Sequence, residues 1–450
     1  MQMNEQNDFT KGAVFKKMTG FAIPVFFSML LMNLYGVIDM LIVGHFGSKA
    51  DVSAVSTGAW IVWTVMSLTM GIASGITTIV GQRIGEKNYN SAAATIFSSA
   101  KFFLCFALVV TLLMELIAEP AVRLMQTPPE AFEGALRYSR ICSAGLVFTT
   151  AFCVLGAVFR GLGDSKTPLL TISIATFTNI AGDLLLAGYF KMPVAGTAIA
   201  TVFAQAVSVL LTLATVFKRE KPFEYAKSAL KYSTNAVNSM LRIGIPIALQ
   251  DFLVTLSFLA VTAIVNRLGV TFSAAAGVAE RICGMIMLVP ITFAQTVASF
   301  TAQNAGAGKH ERARQALLYG ILVSFAAGIF FAWISYFHGD LLASLFAKGK
   351  IDVISSAADY LKAYAIDCLF VSFMFCFEGY FSGYGKTRFV MWQGIIGAFC
   401  VRIPFSWFMS RSQPVSLFKI ALATPASTLL QLLLLAGCYF RFTKKQNDRK

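Results

Sequence analysis

Phe159-Arg-Gly-Leu-Gly163 and Phe381-Ser-Gly-Tyr-Gly385 are two versions of one motif, 222 residues apart. The same offset carries Pro24 to Pro246 and Gly47 to Gly269. Gln82 and Gly85 recur as Gln303 and Gly306, one residue closer. The order is kept throughout, which identifies an internal duplication. Each copy holds six long apolar stretches. Paired six-helix membrane halves of this kind mark secondary transporters.

The chain has 450 residues, 57% of them hydrophobic and only 13% charged. That is too apolar for a soluble globular domain, and the runs are long enough to span a bilayer. Spans are expected near 21–43, 54–80, 93–117, 137–159, 168–190 and 193–217. The second set falls near 243–266, 273–302, 313–337, 359–382, 388–409 and 415–440. The stretches 54–80 and 273–302 are long and must tilt or bend. The expected organisation is an arm (1–20), a first lobe (21–217), a linker (218–242), a second lobe (243–440) and a tail (441–450). The fold class is all-α: twelve transmembrane helices in two parallel six-helix lobes.

A net charge of +15 invites a nucleic-acid reading, but its placement argues otherwise. Of 37 lysines and arginines, 23 fall in the arm, the loops after spans 2, 4, 8 and 10, the linker and the tail. Eleven fall on the opposite side, and Lys101, Arg281 and Arg402 lie in or at the edge of spans. This bias places both termini in the cytoplasm. No cleavable signal peptide is visible in the polar first 20 residues. The eight cysteines lie in spans without metal-ligand spacing and imply no disulfide framework. His45, His310 and His338 read as solvated loop residues. Within the linker, Tyr225 to Leu241 reads either as an interfacial amphipathic helix or as a solvated connector.

With Glu115 and Asp359 set aside as span-end residues, six acids fall inside expected spans: Asp39, Asp183, Asp251, Glu280, Asp367 and Glu378. A charged carboxylate at mid-bilayer costs on the order of 2.5–3.5 kcal/mol even on the permissive insertion scale. Desolvation favours the neutral form of a carboxyl, which suits a proton carrier. Asn179 and Asp183 are four apart and share a helix face. Together with Asp39 and the threonines Thr197 and Thr201 they offer hard oxygen ligands for a small cation or partners for a proton. The competing reading is an interhelical polar clamp. Asp251 and Glu280 lie close to span ends and can reach water, and Asp367 reads as interfacial. Glu378 is deeper, where a helix cap or clamp is the alternative to function. Gln250, Gln295, Asn266 and Gln393 are further polar residues in apolar settings. Tyr35, Trp60, Trp63, Phe148, Phe152, Phe258 and Phe373 can stack on a flat cation, although most membrane aromatics are packing or interface anchors. No phosphate loop, His-Glu-x-x-His or Gly-x-Ser-x-Gly elbow is present, and nothing supports an enzyme.

The chain resembles the MATE family of multidrug and toxic compound extrusion transporters. The resemblance rests on Pro24, Asn33-Leu-Tyr35, Ile38-Asp39-Met-Leu-Ile-Val-Gly-His-Phe-Gly47 and Gly81-Gln-Arg-Ile-Gly85. It continues with Phe159-Arg-Gly-Leu-Gly-Asp164, Asn179-Ile-Ala-Gly-Asp183, Gly244-Ile-Pro-Ile-Ala-Leu-Gln250 and Ala302-Gln-Asn-Ala-Gly-Ala-Gly-Lys309. It implies a V-shaped bundle and export driven by an inward proton or sodium gradient. It also implies that Asp39, Asn179, Asp183 and Thr201 hold the coupling ion, with no other cofactor and no resident metal beyond a sodium ion there. One branch uses a glutamate in the seventh helix. Here that register reads Val254, with Asp251 a turn earlier, so the first lobe is the better-supported coupling site. The expected substrate-cavity residues are Tyr35, Asn33, Gln250, Asp251, Glu280, Gln295 and Glu378. The expected protein is a monomeric exporter of small organic cations in the cytoplasmic membrane, with no nucleic-acid partner. The rivals are a lipid-linked glycan flippase of the same broad fold and a non-transporting membrane scaffold.

Overall fold

The computed structural model describes residues 7–218, 224–347 and 350–448. Part of the expected linker, 219–223, therefore lies outside the described residues. Helices make up most of the described residues. The helices are α1 (Val14–Phe46), α2 (Lys49–Gly85), α3 (Tyr89–Leu124) and α4, which has two pieces, Pro129–Ala144 and Leu146–Gly161. Next come α5 (Lys166–Tyr189) and α6 (Pro193–Lys218). The second copy supplies α7 (Thr234–Asn266), α8 (Val270–Gly306), α9 (His310–Phe337), α10 (Ile351–Gly383), α11 (Thr387–Ser410) and α12 (Leu417–Ala421 with Ala423–Asn447). Among the described residues, eleven helices are long and apolar enough to cross a bilayer; α4, bent by 54° at Gly145, makes the twelfth. Leu112, Leu116, Phe203, Leu322 and Phe330 lie exposed, as lipid-facing residues would. This is a multi-pass membrane protein.

The motif glycines that reveal the duplication stop helices. Gly163 and Gly385 both adopt left-handed backbone, with φ of 79° and 71°. In each copy the next two amides close the helix. Gly163 N donates to Arg160 O and Asp164 N to Phe159 O, while Gly385 N donates to Ser382 O and Lys386 N to Phe381 O. This is the Schellman pattern, which satisfies carbonyls that a bilayer would leave unpaired. The ends of α2 and α8 close in the same way, with Lys87 and Gly308 left-handed at φ of 58° and 68°. Helix starts are equally local: Ser48 and Asp51 form a capping box at the head of α2.

The chain divides into two compact units. The first comprises Met1–Ala13, Thr19–Ala248 and Gly306–Gly308; the second comprises Val14–Met18, Leu249–Ala305 and Lys309–Lys450. The first part of α7 thus belongs to the first unit, because Val237 and Met240 pack into a core with Ile76, Val80, Phe103 and Val158. The segment Tyr225 to Leu241 is not a separate helix. It forms a short 3-10 turn at Lys227–Leu230, and from Thr234 it is already α7. One face of α3 holds that turn. Asn90 Oδ1 accepts from Ala226 N at 2.8 Å, and Ser98 Oγ accepts from Ser233 N at 2.9 Å. Lys101 Nζ donates to Leu230 O at 3.1 Å, which gives this span-edge lysine an acceptor.

Because the left-handed caps recur in both copies, replacing Gly163 or Gly385 by Val should cost about 1–2 kcal/mol each. Thermal unfolding of the detergent-solubilised chain should show a lower midpoint for either variant. Gly20→Ala, whose added methyl meets nothing within 4 Å, should show no loss.

Candidate functional site

Asp39 is 5% exposed in the first unit, on a part of α1 with no lysine, arginine or histidine closer than His45. Opposite it stands α6. Thr201 Oγ1 donates to Asp39 Oδ2 at 3.2 Å, while the Thr201 carbonyl accepts from the Tyr35 hydroxyl at 3.2 Å. Thr201 therefore fixes two α1 side chains at once, one through its hydroxyl and one through its backbone.

Behind Asp39, α5 supplies Asn179 and Asp183, both fully buried. They lie within side-chain interaction range of Asp39. Their register follows from local structure. Asp183 is the last α-helical residue before a π-turn, Leu184–Tyr189, and single π-turns recur at functional sites. Gly182 lets α5 approach α6 closely, since a methyl there would fall 2.9 Å from the Ala200 Cβ. Asp39 Oδ1, both Asp183 oxygens and both Asn179 amide atoms are buried without a hydrogen-bond partner. Each such atom costs roughly 1–3 kcal/mol if nothing satisfies it. Two adjacent buried carboxylates also repel one another. A shared proton or a small cation would relieve both penalties, and four carboxylate oxygens with an amide oxygen suit a hard cation.

Asp39 also walls a cavity of about 190 Å³. Its lining is mostly apolar and soft: Met32, Tyr35 and Met40 from α1, Trp63 and Met66 from α2, and Phe152 from α4. Gln205 and Ser208 continue the Thr201 stripe along α6, and the Thr149 hydroxyl donates to Gln205 Oε1. No lysine, arginine or histidine lines it. Asn179 and Asp183 do not reach its wall, so an ion held there would be screened from cavity contents by Asp39.

The other expected residues are distributed differently. Asn33 is exposed and bonds back to Met29 O on its own helix, outside the cavity lining. Asp251 is exposed on α7. Glu280 is half-buried on α8 and accepts from Thr262 at 3.1 Å, and Gln295 is half-buried further along α8. Gln250 and Glu378 meet in the second unit, together with Gln393. Asp367 is not interfacial but fully buried, with Thr428 and the Arg402 guanidinium in its surroundings and neither carboxylate oxygen hydrogen-bonded. Arg402 is itself buried, bonded to Ser257 Oγ at 2.9 Å and stacked 4.1 Å over Phe258. His310 is not merely solvated: its Nδ1 lies 2.9 Å from the Tyr384 hydroxyl. Trp60 and Phe148 are exposed on the outside, whereas Tyr35, Trp63 and Phe152 line the cavity. The sequence reading passed over Gln205, Ser208 and Tyr138. The first two were legible as the i+4 and i+7 positions after Thr201. Tyr138, on the first piece of α4, carries no charge to single it out in the sequence.

Comparison with known proteins now decides the relationship. The MatE family profile matches residues 24–185 and again 246–408. The chain belongs to the MatE family. The two matches begin 222 residues apart, the offset of the duplicated motifs. The chain is 27% identical to "Probable multidrug resistance protein YoeA" of Bacillus subtilis, with 98% of this chain and 96% of that protein aligned. It is also 27% identical to YpnP of the same organism, a protein likewise named for multidrug resistance, with 90% of each aligned. A transporter of the MOP superfamily from Pyrococcus furiosus superposes with a TM-score of 0.92 at 18% identity, covering 98% and 99% of the two chains. An outward-facing multidrug resistance MATE transporter matches with a TM-score of 0.92 at 19% identity, covering 99% of each. At such identities the likeness shows the fold, which is that of the MATE transporters.

In this MatE protein the buried acids should oppose stability. Asp183→Asn, isosteric and uncharged, should stabilise the protein by up to about 1–3 kcal/mol and so raise the melting midpoint in sodium-free alkaline buffer. A lower midpoint would show that Asp183 is satisfied by some group already in place.

Proposed function

We propose that this chain is a cation-coupled multidrug exporter of the cytoplasmic membrane, with both termini cytoplasmic. It works as a monomer by alternating access and exchanges protons or sodium ions for amphipathic organic cations. The observation that carries the reading is the first-unit cavity. It is lined by Tyr35, Trp63, Phe152 and several methionines, and its wall carries Asp39 and no base. Aromatic faces and a carboxylate attract a flat cation, and methionine adapts to varied shapes. The same cavity disfavours the glycan-flippase rival, whose pyrophosphate would need basic residues. The names of the Bacillus relatives point the same way.

The proposed cycle is competition at Asp39. Thr201 ties Asp39 on α1 to α6, and Asp183 lies behind it. An ion arriving from outside joins the Asp39–Asp183 pair and cancels one of its negative charges, the one that attracts the organic cation, which leaves. Loss of the ion inside restores that charge and readmits substrate. A membrane potential of 100 mV supplies about 2.3 kcal/mol per elementary charge moved, against roughly 1.4 kcal/mol for a tenfold gradient.

Everted vesicles should accumulate a fluorescent organic cation when given an ion gradient. Asp39→Asn with Asp183→Asn should abolish accumulation, and intact accumulation would sink the assignment. A pH gradient that drives uptake without sodium would identify the proton as the coupling ion. In the purified protein the same dye should quench tryptophan emission, and Trp63→Phe should remove most of that quenching.

A further inference from the structure

The side-chain hydroxyls of α6 behave in two ways. Thr197, Thr212 and Thr215 bond back to their own helix, to Pro193 O, Ser208 O and Leu211 O at 2.9, 2.7 and 2.8 Å. That is the ordinary way for a helical hydroxyl to find an acceptor. Thr201 and Ser208 do not bond back. Thr201 Oγ1 donates to Asp39, while Ser208 Oγ is buried without a partner on a residue 0% exposed. These two are also the hydroxyls of α6 that line the first-unit cavity. Ser208 thus gives the cavity wall a buried polar group that nothing in the protein answers.

Gln205 stands between them, and its amide has a fixed sense. The Thr149 hydroxyl of α4 donates to Gln205 Oε1. With the oxygen engaged, the nitrogen is the end left for the cavity, and among the described residues it donates to no group. Packing explains why Thr149 and Gln205 meet. Gly145 seats α4 against α6, since a methyl there would run into the Val202 side chain. Thr149 lies four residues after Gly145, and Gln205 three after Val202, so each follows its contact residue along the same helix face.

The cavity therefore has two polar ends along α6, with an apolar wall between them. Asp39 with Thr201 is the charged end. Gln205 and Ser208 form the other, about 6–10 Å further along the helix axis. Asp39 is the one charged side chain in the lining, so this second end offers neutral donors. Neutral donors suit a neutral acceptor such as a ketone, amide, ether or ring nitrogen. A carboxylate there would be a buried charge that no base answers. We propose that Gln205 and Ser208, with Thr149 as the positioning residue, form a subsite for an uncharged hydrogen-bond acceptor on the substrate. On the cation-exporter reading, on which this rests, the substrates narrow to organic cations that carry such an acceptor about 6–10 Å from the charge.

The test uses the full-length chain in detergent and a matched pair of probes, read by isothermal titration. One probe is a phenyl ketone whose short alkyl chain ends in a trimethylammonium group about 6 Å from the carbonyl. The other has a methylene in place of the carbonyl. The ketone should bind about tenfold tighter, the worth of one or two net hydrogen bonds. Gln205→Leu and Thr149→Val should each bring that ratio toward unity, and Ser208→Ala should reduce it in part. Asp39→Asn should weaken both probes and preserve the ratio, because the charge is read at the other end. A general loss of packing would weaken both probes without closing the gap between them. If Gln205→Leu fails to fold, Thr149→Val and Ser208→Ala still decide. A carboxylate in place of the ketone should bind more weakly than the ketone, and tighter binding would overturn the neutral-acceptor assignment. Equal binding of both probes by the unmodified chain, or an unchanged ratio in the variants that fold, overturns the subsite and leaves cation binding standing. If neither probe binds, the cation reading falls and the subsite with it.

Discussion

The contact between Thr201 and Asp39 is the point on which the first unit turns. It joins α1 to α6 through one hydroxyl and leaves the other Asp39 oxygen, with Asn179 and Asp183, unanswered. A protein under selection for stability alone would fill such a site with apolar side chains, which often match or exceed a buried charged group in stability. The surrounding helices instead keep the acids in place. The π-turn after Asp183 and the break in α4 at Gly145 both depart from regular helix beside this cluster. In a bilayer, backbone irregularity is tolerated only where protein or water satisfies it.

The architecture was largely legible because a bilayer leaves the chain few options. Apolar length forces helices, and the basic bias suggests their sense. The repeated glycines could be read as stops because only glycine takes left-handed backbone cheaply. The unit boundary was not legible. The linker looked like the natural division, but Met240 lies on the helix that opens the second copy, and only packing shows which core it enters. The site was half legible. Asp39, Asn179 and Asp183 stood out because acids are scarce in spans. Gln205 and Ser208 did not, since polar uncharged residues on α6 carry no charge cost to flag them. Asn33 looked like a cavity residue by its nearness to Tyr35, but two positions along a helix is more than half a turn.

The duplication makes the chemical contrast between the two units informative. Carrying Arg402 back by the repeat offset lands one residue from Asn179. The second unit thus places a guanidinium where the first has an orphaned amide. Arg402 acts on Asp367, stacks on Phe258 and bonds to Ser257. A tethered counter-charge cannot leave, although both Asp367 oxygens still lack a hydrogen-bond partner. No basic side chain acts on Asp39 or Asp183. This contrast favours the first unit as the place where a coupling ion comes and goes.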